Sequence, residues 1–128
     1  MRNIFITLLI VFLSSCNNDN GFIINGNVDV IDDTKVYILQ ADQNNQPFIK
    51  DSTLVKSSQF SFKGISATPE ISYIQVEGVN GYVLAILETG EITADLDVNN
   101  ISKSTVSGTI SNDDFVKYKL ETKSLVDN

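Results

Sequence analysis

From Phe22 onward the chain alternates apolar and polar residues with a period of two, and that alternation limits what it can fold into more than any motif does. Successive side chains of an extended strand leave opposite faces, so such a run marks a half-buried β-strand. Phe22, Ile24, Val28 and Val30 share one face, opposite Asn25, Asn27 and Asp29. Phe60 and Phe62 point one way and Gln59 and Ser61 the other, while Ile92, Ala94, Leu96 and Val98 oppose Glu91, Thr93, Asp95 and Asp97. Two runs break the rule: "KVYILQA" (35–41) and "YVLAILE" (82–88) are apolar on both faces. The first is expected to be covered on both sides, and the second to lie centrally in its sheet. Turns fall at Asp32-Asp33, at "ADQNNQP" (41–47), at Val79-Asn80-Gly81 and at Thr89-Gly90, and "STVSGT" (104–109) supplies one more short strand. About seven or eight short strands at such close spacing describe an all-β fold, an antiparallel β-sandwich or a barrel-like sheet.

The period changes after residue 110. Ser111-Asn112-Asp113-Asp114 has the form of a helix capping box, and its acids suit the positive end of a helix. "FVKYKLETKSLVDN" follows, with Phe115, Tyr118 and Leu125 near one side. Residues 22–110 are therefore read as the β-sandwich domain and 111–128 as a C-terminal helix that could begin a linker. Asp113 and Asp114 could also be read as a catalytic pair, but capping explains them at no extra assumption.

The first twenty residues have a different character. Met1-Arg2 is a short positive start, and Ile4 to Leu13 is apolar apart from Thr7, too short to span a bilayer as a helix. A charged start, a brief apolar stretch and small residues before a break describe a secretory signal rather than a core element. Leu13-Ser14-Ser15-Cys16 resembles the lipobox of bacterial lipoprotein precursors. That resemblance implies a signal peptide over residues 1–15, cleavage between Ser15 and Cys16, and lipidation of Cys16 through a diacylglyceryl thioether carrying acyl chains such as palmitate. Residues 16–21 would then be a polar tether. The implied location is the cell envelope, as a lipid-anchored membrane protein facing the periplasm or the cell surface. An acid-rich stretch after the cysteine helps send some lipoproteins to the surface, and Asn17-Asn18-Asp19-Asn20 holds a single acid, which leaves the leaflet open.

Charge and side-chain inventory exclude several functions. Sixteen acidic residues against nine basic ones give a formal charge of −7, and the lysines are scattered, so no nucleic-acid stripe forms. There is one cysteine and no histidine. With Cys16 committed to lipid, no disulfide, zinc, haem or iron–sulfur site can be drawn, and no cofactor is expected. A reactive thiolate would need a base or an electropositive site. Asp29, Asp32 and Asp33 come nearest to a calcium set, but their spacing does not fit a calcium loop and reads as a solvated turn. No metal site is assigned.

"KDSTLVKSSQFSFKG" (50–64), "LETGEITADLD" (87–97) and "VSGTISNDDF" (106–115) stand in an order and spacing that cover nearly all of the chain after the tether. In these stretches, with Asp51-Ser52, Phe60-Ser61-Phe62-Lys63-Gly64 and Ser107-Gly108-Thr109 as the clearest points, the chain resembles a small β domain of Bacteroidota lipoproteins, a domain of unknown function. In that family the domain typically precedes a thioredoxin-like, thiol–disulfide oxidoreductase module. Where the family usually has a glycine in the turn before the Phe-x-Phe strand, this chain has Ser57-Ser58. No Cys-x-x-Cys motif occurs in the chain, so the redox activity of the associated module is not carried over. Asp51-Ser52 is read as a side-chain-to-backbone turn rather than a binding point, Phe60 and Phe62 as core, and Gly64, Gly90 and Gly108 as turn glycines.

No combination of residues reads as nucleophile, base and oxyanion donor, so no catalytic residue is assigned and the chain is read as non-enzymatic. The leading expectation is a lipid-anchored envelope β domain that serves as a spacer, interaction or recognition module, with the membrane and an envelope protein or thioredoxin-like module as partners. The alternative is a free-standing envelope lipoprotein that binds a glycan or peptide, with Tyr37, Tyr73 and Tyr82 offering aromatic contact area unless core packing claims them. Hydrolysis by paired carboxylates has only scattered acids behind it.

Overall fold

Phe22 and Phe60 each lie across a glycine of the neighbouring strand, and this exchange sets the register of the first sheet. The computed structural model describes residues 20–126, with side chains as far as Lys123. Strand β1 (Gly21–Val28) pairs antiparallel with β4 (Gln59–Ile65), placing Phe22 opposite Gly64 and Gly26 opposite Phe60. A Cβ on Gly26 would overlap the Phe60 ring, and one on Gly64 would stand 2.6 Å from the Phe22 ring. Gly64 is thus a strand residue that leaves room for a ring, which corrects its reading as a turn glycine. Gly90 and Gly108 do take positive φ, at 127° and 104°. Phe60 and Phe62 are buried on the inner face, edge to face with centroids 6.0 Å apart.

The remaining strands are β2 (Lys35–Ala41), β3 (Pro47–Leu54), β5 (Glu70–Val76), β6 (Val83–Leu87), β7 (Gly90–Leu96) and β8 (Thr105–Ser107). They form two four-stranded sheets, ordered β4-β1-β7-β8 and β3-β2-β5-β6. A turn of 3-10 helix at Ile101–Lys103 precedes β8, and one helix, α1 (Ile110–Val126), follows it. The alternating residues supply the core as expected: Phe22, Ile24, Val28, Ile92, Ala94 and Leu96 face Val36, Ile38, Ile74, Val76, Ala85 and Leu87 of the second sheet.

Three features depart from the sequence expectation. First, β1 and β7 run parallel, so the sandwich is not wholly antiparallel. No hairpin joins these two strands; the chain crosses to the second sheet and back between them, which leaves their direction free. Second, β6 is an edge strand rather than a central one. Its apolar outer residues reflect cover by α1, not a neighbour on each side. Third, β2 is central in its sheet, yet Tyr37 and Leu39 on its outer face are only half-buried.

Short polar links tie the loops together. Asp32 accepts a hydrogen bond from the Ser57 amide (2.9 Å) and Asp33 pairs with Lys56, so these acids join the β1–β2 loop to the β3–β4 turn. The Lys56 ammonium is held above its ordinary range by that hydrogen bond and charge. Asp51 accepts from the Ser52 amide at 2.8 Å, on an edge strand where the β2–β3 register shifts rather than in a turn. At the Gly21 end, the Ser66 amide donates to Asn20 and its hydroxyl to Leu87, so both sheets share that end.

Two measurements check this packing. Phe60→Ala should destabilise by about 3–5 kcal/mol in urea, and Gly26→Ala, which forces the same ring to move, by about 1–3 kcal/mol; Gln59→Ala on the outer face should stay within about 0.5 kcal/mol. Equal midpoints for Phe60→Ala and Gln59→Ala would refute the interlocked core. Ser57 and Ser58 both sit at positive φ (51° and 62°) between Lys56 and Gln59, whose backbones bond each other at 2.9 and 3.0 Å. That is a two-residue hairpin turn whose shape favours Asn-Gly. Ser58→Gly should therefore raise stability by up to about 1 kcal/mol, and a lower urea midpoint would contradict it.

Candidate functional site

The N-terminal site residues, Ser15 and Cys16, lie outside the described residues, as does the side chain of Leu125. The structure instead assembles a surface feature around α1, starting from its first turn. Thr109 accepts the first helical hydrogen bond, from Asp113 N at 2.9 Å, so the helix begins at Ile110 rather than Ser111. Asp113 accepts from the Gly108 amide (2.8 Å), which gives it a capping role as expected from the sequence, at a helix start two residues ahead of the Ser111 box. Asp114 is exposed.

The residue that sequence reasoning missed is Glu88. From the β6–β7 turn its carboxylate accepts hydrogen bonds from the Ser111 amide (3.1 Å), the Ser111 hydroxyl (3.1 Å) and the Thr109 hydroxyl (3.2 Å). An anion there meets the unsatisfied amides and positive end of the helix. The signal was visible in "LETGE", but nothing local to α1 pointed to a cap supplied by a distant turn.

Asn112 does the second part of the docking. Only 2% exposed, it accepts from the Ile86 amide at 2.9 Å and donates to the Ile86 carbonyl at 2.8 Å. Its amide nitrogen also donates to Thr109 Oγ1 at 2.7 Å. A carboxamide with one acceptor and one donor in this arrangement reproduces the hydrogen bonds of a neighbouring strand. The β6 edge is thereby closed at Ile86.

Beyond Asn112 the helix runs along β6 and β8 and leaves a groove of about 1030 Å³. Tyr73, Tyr82 and Leu84 form one wall, Ile101 to Val106 the floor, and Phe115, Tyr118, Lys119 and Lys123 the other wall. Tyr73 and Tyr82 meet edge to face at 5.5 Å, and Lys119 Nζ lies 5.8 Å from the centre of the Phe115 ring. Of the tyrosines named from the sequence, Tyr73 and Tyr82 come together here, and Tyr37 sits on the same outer sheet face but not in the groove. None of the three lies in the core between the sheets.

The groove continues onto that outer face, where a row of apolar residues crosses all four strands. Ile49, Leu39, Tyr73 and Leu84 are successive register partners, with Ile71 and Ile86 alongside. Ile49 is 58% exposed and Ile71 62%. The outer face of the other sheet carries Asn25, Asn27, Ser61, Lys63, Glu91 and Asp95, with Ile23 and Ile65 among them. At the margin, Glu70 is held below the usual carboxylate range by the Gln40 side chain and then by Lys50, 3.3 Å away. Among the described residues no group of histidine, cysteine and carboxylate side chains gathers as a metal centre, and no helix is long and apolar enough to cross a membrane.

If Asn112 docks the helix, Asn112→Ala should strand the Ile86 amide and carbonyl, at a cost of roughly 1–3 kcal/mol for each group not reached by water. Amide hydrogen exchange at Ile86 should accelerate while that of Ile24 in the core keeps its order. Unchanged exchange at Ile86 would show that the helix is held by other means.

No curated protein and no solved structure matches the chain. Residues 22–115, from the first core phenylalanine of β1 to the second turn of α1, match the family described as "Domain of unknown function (DUF4369)". The match takes in both sheets and the docked start of the helix, and the chain belongs to that family.

Proposed function

We propose that the protein is a lipid-anchored envelope β domain that acts as a non-catalytic spacer and interaction module beside a membrane. The observation that carries this reading is where the chain enters and where α1 goes. It enters the fold at Gly21, and α1 starts at the same end, with Thr109 against Gly90. The helix then passes Ile86 and flanks a groove with Tyr82, Val83 and Ile101 at the opposite end. Five residues from Cys16 to Asn20 extend at most about 18 Å, which keeps the Gly21 end against the bilayer. The 17 residues of α1 rise about 25 Å, so a segment after it leaves from the far side. Each buried methylene contributes about 0.8 kcal/mol, and two acyl chains on Cys16 suffice for durable attachment.

The resemblance to the N-terminal β domain of thiol–disulfide oxidoreductase lipoproteins supports a partner with that chemistry. A second reading, a free-standing envelope lipoprotein that binds a peptide or glycan, is supported by the aromatic groove beside α1. Both readings need no catalytic group.

Fatty-acid labelling tests the anchor. The wild-type protein should take up label and partition with membranes, and Cys16→Ala should lose both. Equal label on the two forms, or a mature N-terminus elsewhere than Cys16, would remove the basis for the spacer reading.

A further inference from the structure

We propose that the groove between β6, β8 and α1 binds an extended, acidic segment of a partner protein, which pairs with the open Leu84 rung of the β6 edge. Backbone direction along an antiparallel strand repeats every two residues. Asn112 bonds both the N–H and the C=O of Ile86, so both groups point out of the sheet at that edge. Those of Leu84 therefore point the same way, and Leu84 lines the groove. Among the described residues no protein group bonds them. One rung of the edge is thus closed by a side chain that imitates a strand, and the next is left open to a real one.

Charge identifies the occupant. Lys103, Lys119 and Lys123 line the groove, and among the described residues no aspartate or glutamate does, in a chain of net charge −7. This is a local inversion of the protein's own sign. Tyr82, Phe115 and Tyr118 add apolar area between the lysines. An open main-chain rung selects another main chain, with alternate side chains read by the walls. Phosphate polymers carry no such complement to Leu84, and the acidic remainder of the surface repels them. An extended peptide alternating acidic and apolar residues satisfies the rung, the lysines and the aromatic walls together.

This deepens the interaction-module reading and does not depend on the anchor. Retained lipidation with no peptide binding would refute the groove alone, and peptide binding without lipidation would refute the anchor alone. The test uses the full-length protein in detergent micelles and two fluorescein-labelled peptides of about ten residues, one alternating Asp with Val and the other Lys with Val. The acidic peptide should bind, weaken as salt rises, and slow hydrogen exchange at the Leu84 amide. The basic peptide should not bind. Replacing all three lysines (Lys103→Gln, Lys119→Gln, Lys123→Gln) should weaken binding about tenfold and flatten the salt dependence. Leu84→Pro should abolish binding with the β-sheet circular dichroism intact, since the lost N–H serves no pairing with β5; should that variant unfold, the Leu84 exchange measurement on the wild type decides. Equal binding of the two peptides, no binding at millimolar concentration, or unprotected Leu84 in the bound state would overturn the proposal. So would a dimer in sedimentation that the lysine changes dissociate, because the groove would then be an interface between copies.

Discussion

The carboxamide of Asn112 on the backbone of Ile86 is the contact on which the shape of this domain turns. A sandwich of two four-stranded sheets has open edges on both sides, and exposed edges invite pairing with other chains. Here the side with β6 and β8 is managed by a helix that closes one rung with a side chain. The helix is held in place by charge, since the Glu88 carboxylate accepts from the Ser111 amide and from the Ser111 and Thr109 hydroxyls. Few apolar residues of α1 are buried, with Tyr118 and Leu120 each more than 60% exposed. Polar docking at one end and little burial elsewhere mean the helix covers only part of β6 and β8, and the space it leaves is the groove.

Much of the fold was legible because the period-two pattern leaves little freedom wherever one face is buried. Phe22, Ile24, Phe60, Phe62, Ile92 and Ala94 all took the inner faces assigned from alternation alone. What alternation cannot express is which strands become neighbours. "YVLAILE" carries the apolar content of a central strand because α1 covers part of it, and a covered edge and a shared edge leave the same trace in sequence. Gly64 was misread for a related reason, since a glycine that makes room for a ring looks the same as one that permits a turn. Only its register against Phe22 tells them apart. The groove was half legible. Tyr73 and Tyr82 drew notice as aromatic surface, whereas Lys103, Lys119 and Lys123 looked scattered because they meet only through the packing of α1 on β8.

The two outer faces of the sandwich divide the surface by chemistry. One sheet shows water a mixture of amides, hydroxyls and charges, with Ile65 exposed at its β4 edge. The other shows the row Ile49, Leu39, Tyr73 and Leu84, which runs into the groove without a break. Contiguous apolar surface of this kind is uncommon on a domain that works alone. The acidic, polar side and the apolar, locally basic side give the domain an orientation relative to whatever lies around it.

The parallel pairing of β1 with β7 has a consequence in time as well as in space. Partners in that ladder, such as Asn27 and Asp95, are 68 residues apart in the chain. The first strand to emerge therefore waits long for its second neighbour: β4 ends at Ile65 and β7 only at Leu96. Pairing between such distant segments must meet the entropy of closing a long loop before any contact rewards it, and chains built that way fold slowly. Late closure of the first sheet leaves the β7-facing edge of β1 unpaired while the whole second sheet is already available to form.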